Sequence, residues 1–346
     1  MPEAKPGRKV GRMPENRRRA VRGAFAFPVL VLLLAALVLF SARTGSIDVS
    51  FGRLLHGLFT AYDRDVAIIF DLRFPRIFVA LLGGAAMAVS GVLLQAVMKN
   101  PLADPTIIGV SGGAAFAAVV TVAFAPALFF FVPLLSFAGG LGAFFIVYAL
   151  SWRSGLSPVR IILVGVAVGA LFTGLTEALG AMTGSTFTGV ASIVNANIAM
   201  KTWEDVRMLL GYVAVGLLAA LALAGRCNLI QLEDRTVRSL GIAIGRTRLL
   251  ISVFAVLLAS IAASVVGTIA FLGLIAPHIG RLLVGSDHRA LIPFAMPLGA
   301  FLLLGADTVG RLIAPPFEVS AQIVMSVVGG PFFVVLLLRS GRAYGK

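Results

Sequence analysis

The amino-acid sequence predicts an all-α integral membrane protein with about ten transmembrane helices. Of its 346 residues, 59% are hydrophobic and only 13% are charged, and the mean hydropathy is +1.00. Apolar runs of about 20 residues recur along the chain, and the charged residues lie between them. A water-soluble domain of this size has no core large enough for so much apolar surface, so the bilayer must surround most of it.

The individual helices follow from the apolar runs, because about 20 apolar residues are needed to cross the bilayer. We place them near residues 25–42, 73–97, 106–124, 128–150, 160–180, 206–225, 249–268, 270–284, 291–312 and 320–339. The stretch 249–284 is too long for one ordinary crossing and short for two. Arg246 and Arg248 precede it, Arg281 and Arg289 end it, and positive charge favours the cytoplasmic side. If the stretch 249–284 forms two helices, all four arginines lie on the cytoplasmic side, so we predict two helices here.

The amino-terminal residues 1–23 form a predicted cytoplasmic tail, which is rich in Lys and Arg and is expected to be disordered. The apolar run 24–42 is longer than the ~7–15 residues of a signal-peptide core, so we interpret it as the first membrane helix. Residues 24–342 then form one transmembrane domain with both termini in the cytoplasm. The net charge of +14 reflects this topology rather than a nucleic-acid partner, because the charges lie between apolar runs.

The sequence contains no motif for metal binding or for ATP hydrolysis. The single cysteine, Cys227, has no Cys or His neighbour at metal-ligand spacing, so we expect no internal disulfide, no metal site and no cofactor. No Gly-rich phosphate loop ending in Gly-Lys-Ser or Gly-Lys-Thr is present. If ATP drives this protein, a separate subunit must hydrolyse it. We therefore expect a transport subunit rather than an enzyme.

An ordered series of short motifs runs through the chain. Its first half contains Leu72-Arg73-Phe74-Pro75-Arg76, Ser90-Gly91, Gln95 and Asn100-Pro101-Leu102-Ala103-Asp104-Pro105. Its second half contains Arg238-Ser239-Leu240-Gly241, Phe271-Leu272-Gly273-Leu274-Ile275-Ala276-Pro277-His278, Ala306-Asp307, Arg311 and Gly329-Gly330-Pro331-Phe332-Phe333. The series resembles the permease family of type II ABC importers, which includes vitamin B12, ferric siderophore and haem permeases. The likeness covers roughly residues 65–342.

The resemblance implies the type II ABC importer permease fold and a subunit that moves a metal chelate across the cytoplasmic membrane of a prokaryote. The implied partners, besides the lipid bilayer, are a second permease subunit, ATP-hydrolysing cassette subunits and an extracytoplasmic substrate-binding protein. The second permease is either an identical chain or a close paralogue. A ferric siderophore is the expected cargo, and haem, cobalamin and molybdate are the alternatives within the family.

Three arginines are predicted to lie at the outer ends of helices. Arg73 and Arg76 fall at the start of the second helix, and Arg311 falls at the end of the ninth. Such residues can snorkel to lipid headgroups or cap helices. The resemblance implies instead a positive rim that docks acidic side chains of the substrate-binding protein, because opposite charges set the register of docking. Asp307, at membrane depth, is expected to pair with Arg311 one helical turn further on.

The polar stretch 226–248 is the second candidate site, and it contains Arg238-Ser239-Leu240-Gly241. Its composition is compatible with a helix, and Gly241 suits a helix end that requires a left-handed residue. An ordinary basic cytoplasmic loop is the alternative. The resemblance implies a short coupling helix at this point, which would insert into a groove of the ATPase.

The break between the second and third helices is the third candidate site, and it contains Gln95, Asn100, Pro101 and Asp104. Irregular backbone near the membrane is tolerated only where protein or water satisfies its polar groups. We therefore predict that this turn lines either a packed junction or a cytoplasmic gate. The chain departs from the family pattern elsewhere, at 193–197 and 318–322, and both segments flank the outer half of the pathway.

Two functions of other classes are weighed against transport by an ABC importer. Ser111, within a Gly-x-Ser-Gly sequence, and His278 resemble the Ser and His pair of an intramembrane protease, but His278 lacks the glycine spacing that such a site uses. Asp307 and Glu177 are candidate proton carriers of a secondary transporter. No pair of broken helices in matching halves accompanies these two acids in the sequence.

Overall fold

The computed structural model describes residues 15–44, 69–152, 158–183, 198–314 and 317–344. These residues form eleven α-helices and no β-strand. In chain order the helices are α1 (Glu15–Arg43), α2 (Phe74–Met98), α3 (Val110–Phe124), α4 (Val132–Trp152), α5 (Pro158–Thr183), α6 (Trp203–Ile230), α7 (Asp234–Ser239), α8 (Ile244–Val266), α9 (Leu272–Val284), α10 (His288–Ile313) and α11 (Ala321–Tyr344). Short turns add a π-helix at Ile69–Arg73 and 3-10 helices at Pro126–Phe131 and Ile198–Met200.

Ten of the eleven helices match the predicted membrane helices, and the short α7 lies in the predicted polar stretch. Eight of them are long and apolar enough to cross a bilayer. The other two, α3 and α9, contain 15 and 13 residues. At about 1.5 Å per residue, each is shorter than the ~30 Å hydrocarbon core. α1 begins at Glu15 and so extends into the predicted tail, whose residues 1–14 lie outside the described part of the chain.

The long apolar stretch 249–284 is divided into two helices, as the charge pattern predicted. Gly267, directly after α8, has a φ of 87°, and Phe271, directly before α9, has a φ of 66°. These left-handed values turn the chain back on itself between the two helices. As a result, Arg248 on α8 and Arg281 on α9 both lie beside the carboxyl-terminal part of α2, at one end of the bundle.

Contacts between helix termini define the two ends of the bundle. At the first, which we call the α7 end, Lys99 after α2 contacts Asp234 on α7. At the second, which we call the Asp307 end, Arg76 at the start of α2 contacts Asp307 near the end of α10. α1 finishes at the Asp307 end and α11 begins there. The described chain ends, residues 15 and 344, therefore both lie towards the α7 end.

Small residues bring α2 against its neighbours at the centre of the bundle. A side-chain carbon at Gly84 would collide with the backbone of Gly299 on α10, and one at Gly91 would collide with the backbone of Gly273 on α9. In lipid, such close backbone approach lets van der Waals packing hold helices together. Most of α2 is consequently buried, whereas most apolar residues of α1, α5 and α11 are exposed on the single chain.

Candidate functional site

The Asp307 end contains a buried ion cluster built on the first turn of α2. Pro75 occupies that turn, where a missing N–H costs nothing. The Arg76 guanidinium donates to Asp307 from two nitrogens, with Nε–Oδ2 and Nη2–Oδ1 distances of 3.0 and 2.9 Å. Its Nη1 donates to Glu318 Oε2 at 2.9 Å. The Arg76 and Asp307 side chains are only 11% and 3% exposed, so the protein rather than water neutralises them.

Arg311 and Arg73 bind the carboxyl-terminal end of α1. Arg311 Nε lies 3.5 Å from Asp307 Oδ2, which confirms the predicted pairing one turn apart. Arg311 Nη1 donates to the Ser41 carbonyl at 3.4 Å and to the carbonyl of Thr44, directly after α1, at 3.1 Å. Arg73 Nη1 donates to the Ala42 carbonyl at 2.9 Å. The last carbonyls of a helix have no intrahelical partner and carry partial negative charge. The two arginines therefore cap α1 and tie it to α2 and α10.

The three predicted docking arginines converge at one end of the molecule, but two of them are largely enclosed by the chain itself. Arg76 and Arg311 have mostly buried side chains. The carboxylate of Asp307 pairs with both of these arginines, and that of Glu318 pairs with Arg76. The docking role stays a prediction. The sequence interpretation missed the contact to Glu318, although its segment, 318–322, was noted as a departure from the family pattern.

The predicted coupling stretch forms the short helix α7, which ends in a glycine cap. Gly241 has a φ of 75°, as predicted for this helix end. Its N–H donates to Arg238 O at 3.0 Å, and the N–H of Ile242 donates to Val237 O at 3.4 Å, which together make a Schellman motif. Val237 is buried beneath the helix, whereas Leu240 is 58% exposed. The other predicted coupling residues, also exposed, are Arg238 and Ser239.

A cluster of three charges anchors α7 to the membrane helices. Asp234 Oδ1 accepts hydrogen bonds from Lys99 Nζ at 3.0 Å and from Arg248 Nη2 at 2.8 Å. Lys99 Nζ also donates to the Leu232 carbonyl at 2.6 Å. The hydrogen bond from Lys99 is the main cause that lowers the pKa of the Asp234 carboxyl, and the charge of Arg248 adds to it. α7 is thereby joined to α2 and α8.

A second polar contact links the end of α6 to the turn before α10. Asn228 Nδ2 donates to Asp287 Oδ1 at 2.6 Å, and Asn228 Oδ1 accepts the backbone N–H of His288 at 2.9 Å. Asp287 caps α10 by accepting the N–H of Arg289 at 2.9 Å. That backbone hydrogen bond, followed by the one from Asn228, lowers the pKa of the Asp287 carboxyl. The sequence interpretation missed this network, although an Asp directly before an apolar helix is a known capping signal.

Gln95 joins the end of α2 to α9. Its side chain is buried, and its Nε2 donates to the carbonyls of Ala103 and Gly273, each at 3.1 Å. Its Oε1 accepts a hydrogen bond from Arg281 Nη2 at 2.5 Å. A single α2 side chain thus holds the α2–α3 connection and two points of α9.

The break between α2 and α3 bonds part of its polar groups locally, whereas the buried Oδ2 of Asp104 finds no hydrogen-bond partner among the described residues. Asn100 Oδ1 accepts the N–H of Leu102 at 3.0 Å, and Asp104 Oδ1 accepts the N–H of Thr106 at 2.8 Å. Both side chains mimic a backbone turn in this way. Asn100 and Asp104 are buried, whereas Pro101 is exposed. The segment is therefore a packed junction, one of its two predicted roles, and its role as a gate stays a prediction.

The residues proposed for the two rival functions lack the required surroundings. Ser111 Oγ has no hydrogen-bond partner within the described part of the chain, and the ring of His278 packs edge-on against Phe332 with centroids 5.6 Å apart. A nucleophilic serine needs a base within hydrogen-bond reach. Asp307 is held between two arginines, and Glu177 lies on an exposed face of α5. Neither arrangement is a catalytic pair or a buried proton relay.

Comparison with known sequences assigns the family. Residues 32–339 match the sequence model of the FecCD transport family. The chain belongs to the FecCD transport family. A curated relative of this FecCD chain, described as a probable heme-iron transport system permease protein, IsdF, of Staphylococcus aureus strain MSSA476, is 43% identical over 316 residues. That alignment covers 91% of the chain and 96% of the relative. The corresponding proteins of strains MW2 and Newman are also 43% identical.

Solved structures agree with this assignment. The FecCD chain is 28% identical to a metal-chelate type ABC transporter in an inward-facing conformation, with a TM-score of 0.76, covering 91% of the chain and 99% of that structure. It also shares the fold of PsaBC from Streptococcus pneumoniae in complex with Fab, at 18% identity and a TM-score of 0.56, covering 83% and 95% of the two chains. The chain is thus the multi-pass permease of an ABC importer for a metal chelate. It is a transport subunit that works with ATPase and substrate-binding partners.

Proposed function

We propose that this FecCD permease carries haem iron across the cytoplasmic membrane. The observation that supports haem is the 43% identity with the S. aureus haem-iron permease, which extends over 91% of the present chain. A ferric siderophore, ranked first from the sequence, is the second candidate. It is supported by the 28% identity with the metal-chelate transporter, because a ferric siderophore is a metal chelate.

The α7 end faces the cytoplasm in this proposal, and both termini lie on that side. Positive residues are retained on the cytoplasmic side of membrane proteins. The α7 end agrees with this rule because it exposes the arginines Arg226, Arg235, Arg238, Arg246 and Arg289. The Asp307 end then faces the substrate-binding protein, and the α7 end faces the ATPase.

α7 is the proposed contact with the ATPase. Leu240 offers an exposed apolar side chain at its end, and the Asp234 cluster fixes the helix to α2 and α8, so a push on α7 moves both membrane helices. Replacing Leu240 by Asp should abolish ATP-driven transport of the cargo. The matched control is Leu232→Asp, because Leu232 is 44% exposed at the same end but precedes α7. Equal transport by both variants would remove α7 from the interface.

Arg73, Arg76 and Arg311 are the proposed contact with the substrate-binding protein. The convergence of these three basic residues at the Asp307 end supports attraction of an acidic partner. Arg76 and Arg311 would act mainly by fixing the shape of the docking surface and by adding to its positive potential, because their side chains are mostly buried. The affinity of the unmutated complex for its binding protein should fall as salt rises. A salt-independent affinity would argue against this contact.

Gln95, Asn100 and Pro101 form the proposed cytoplasmic gate region. They lie at the α7 end, where Gln95 couples α2 to α9 through Arg281. Loss of that side chain would free both helices, so Gln95→Ala should raise ATP hydrolysis in the absence of cargo. Unchanged basal hydrolysis would leave Gln95 a purely structural residue.

A second permease subunit completes the proposed assembly. α5 and α11 leave most of their apolar residues exposed on the single chain, which suits a face that packs against another membrane helix. An identical chain or a close paralogue would fill this role. Cross-linking of purified permease in lipid nanodiscs, through cysteines on α5 and α11, should give a covalent dimer. A strictly monomeric product would contradict the assembly.

The cargo is tested by competition. Proteoliposomes containing the permease, its ATPase and its binding protein receive labelled haem together with an excess of an unlabelled ferric siderophore, and the reverse pair is measured in parallel. We expect haem uptake that the siderophore does not inhibit. Siderophore uptake that haem does not inhibit would replace haem by the second candidate and leave the ABC mechanism intact.

A further inference from the structure

A cavity of about 640 Å³ lies at the α7 end, between the ends of α2, α4, α5 and α8. Its walls are largely apolar and include Phe144, Val147 and Ile161. Its polar lining consists mainly of Lys99, Ser151, Asp234 and Arg248. The volume falls within the ~300–1,000 Å³ that small-molecule sites occupy. None of the roles proposed above uses this space.

Two residues that line the cavity have buried donors without a partner in the described part of the chain. Ser151 Oγ and Arg248 Nε both belong to lining residues, and neither finds a hydrogen-bond partner within the segments that the structure describes. Ser151 is fully buried. Buried polar groups normally have a partner, because an unpaired one loses its hydration without compensation. Two unpaired donors on residues that line one cavity indicate a ligand that carries acceptor atoms.

The charge of the lining favours an anion. Lys99 and Arg248 share one carboxylate, that of Asp234, so this end of the cavity has one positive charge in excess. Arg248 uses Nη2 for Asp234, which leaves Nε available to a further acceptor. An anionic group with several oxygens matches both the free donors and the excess charge.

The position of the cavity favours an amphipathic ligand. Its α4 wall runs from Phe144 to Ser151, a rise of about 10 Å, and Ser151 ends the apolar span of that helix. The cavity therefore extends from the level of the headgroups into the apolar layer. Phe145 and Leu249, which also line it, are exposed on the surface of the chain, so the space is open at the side.

We propose that this cavity binds an anionic glycerophospholipid. The phosphate accepts hydrogen bonds from Arg248 Nε and Ser151 Oγ, and an acyl chain lies along Phe144 and Val147. Basic pockets between transmembrane helices bind anionic headgroups on the same physical grounds. Because Arg248 also holds Asp234, the bound lipid stabilises the attachment of α7. The site is independent of which chelate the permease carries.

The test compares two lipids on the purified full-length permease. Native mass spectrometry measures the binding of phosphatidylglycerol and of phosphatidylcholine with the same acyl chains. Gly245 lines the cavity, and no atom lies within 4 Å of the position of an added Cβ, so Gly245→Leu is the variant chosen to place a bulky side chain at the cavity wall. Gly211→Leu, on α6, also enters open space but lies outside the cavity, and it is the matched control.

The site requires a preference for phosphatidylglycerol in the unmutated chain. We expect Gly245→Leu to weaken that binding by about tenfold or more, and Gly211→Leu to leave it unchanged. Arg248→Lys keeps a charge opposite Asp234 but removes the Nε donor, so it should reduce the preference for the anionic lipid. Equal binding of the two lipids, or unchanged binding in both cavity variants, would overturn the proposal.

Other occupants give different outcomes. Complete competition by inorganic phosphate would reduce the site to a simple anion site, and displacement of the lipid by the added ATPase would assign the cavity to that subunit. Residues 153–157 connect α4 and α5 and lie outside the described part of the chain. A disulfide between cysteines placed at Gly245 and Leu156, in a Cys227→Ser background, would show that this segment fills the cavity. Each of these results contradicts a lipid site.

Discussion

Removal of the Asp307 carboxylate is the sharpest test of the buried ion cluster. In Asp307→Asn, Arg76 loses a two-point contact with distances of 3.0 and 2.9 Å, and Arg311 loses a carboxylate at 3.5 Å. Water does not replace the carboxylate, because its side chain is only 3% exposed. Leaving a buried charge without its partner costs about 3–5 kcal/mol. At about 1.4 kcal/mol per factor of ten, the folded-to-unfolded ratio should fall by at least roughly 100-fold.

Glu318→Gln is the matched control for that variant. It removes a carboxylate from the same guanidinium at the same distance of 2.9 Å, but Glu318 is 47% exposed. An exposed pair contributes at most about 1 kcal/mol, so this variant should lose little stability. The free energy of unfolding is measured by SDS titration in mixed micelles, with the fluorescence of Trp203 as the probe. The ring centroid of Trp203 lies 5.0 Å from that of Phe70, at the same end of the bundle.

Equal losses in Asp307→Asn and Glu318→Gln would refute the reasoning, because burial would then not decide the magnitude. A double variant provides a second check. Arg76→Met with Asp307→Leu removes both charges, and replacing a buried pair by apolar residues is often close to neutral. The double variant should therefore be more stable than Asp307→Asn alone.

Three further predictions concern the rest of the molecule. The pKa of the Asp234 carboxyl is lowered in the folded state. Its stabilisation of α7 is therefore present above the ordinary pKa of about 4 and is lost as the pH falls through the lower folded-state value. Hydrogen exchange of α7, corrected for intrinsic rates, should accelerate in acid, and Asp234→Asn should show the fast rate at pH 7. Gly91→Ala should destabilise the fold through its clash with α9, whereas Gly211→Ala, which enters open space, should be neutral or stabilising. Cysteines at Ser286 and Phe317 should react with impermeant reagents only from opposite sides, and labelling from one side would remove the proposed topology.

The helices were predictable because the bilayer imposes a length on them. Each of the ten apolar runs corresponds to a helix, eight of which are long and apolar enough to cross a bilayer, and the positions of four arginines divided 249–284 correctly into α8 and α9. The short α9 was expected, because the stretch 249–284 is short for two crossings, but the reduced length of α3 was not predictable in this way. Both follow irregular segments, at 99–109 and 267–271, and burial of these segments against α2 depends on contacts that hydropathy does not encode.

The candidate sites were predictable in place but less so in their contacts. Gly241 and the pairing of Asp307 with Arg311 follow from local rules, and the structure confirms both. The main partner of Asp307, however, is Arg76, which is separated from it by 231 residues. Single-sequence reasoning sees neighbours along a helix and does not see which helix ends meet. The role of α1, whose last carbonyls accept hydrogen bonds from Arg73 and Arg311, was missed for the same reason.

The central claim is that ATP on the α7 side drives uptake of an iron chelate through this chain. Its most direct test uses proteoliposomes that contain the permease, its ATPase and its binding protein, with haem offered on the Asp307 side. We predict that haem accumulates only when ATP is present on the α7 side and the binding protein is present on the other, and that a proton gradient without nucleotide gives no uptake. Uptake driven by the proton gradient alone, without ATP or the ATPase, would contradict the claim.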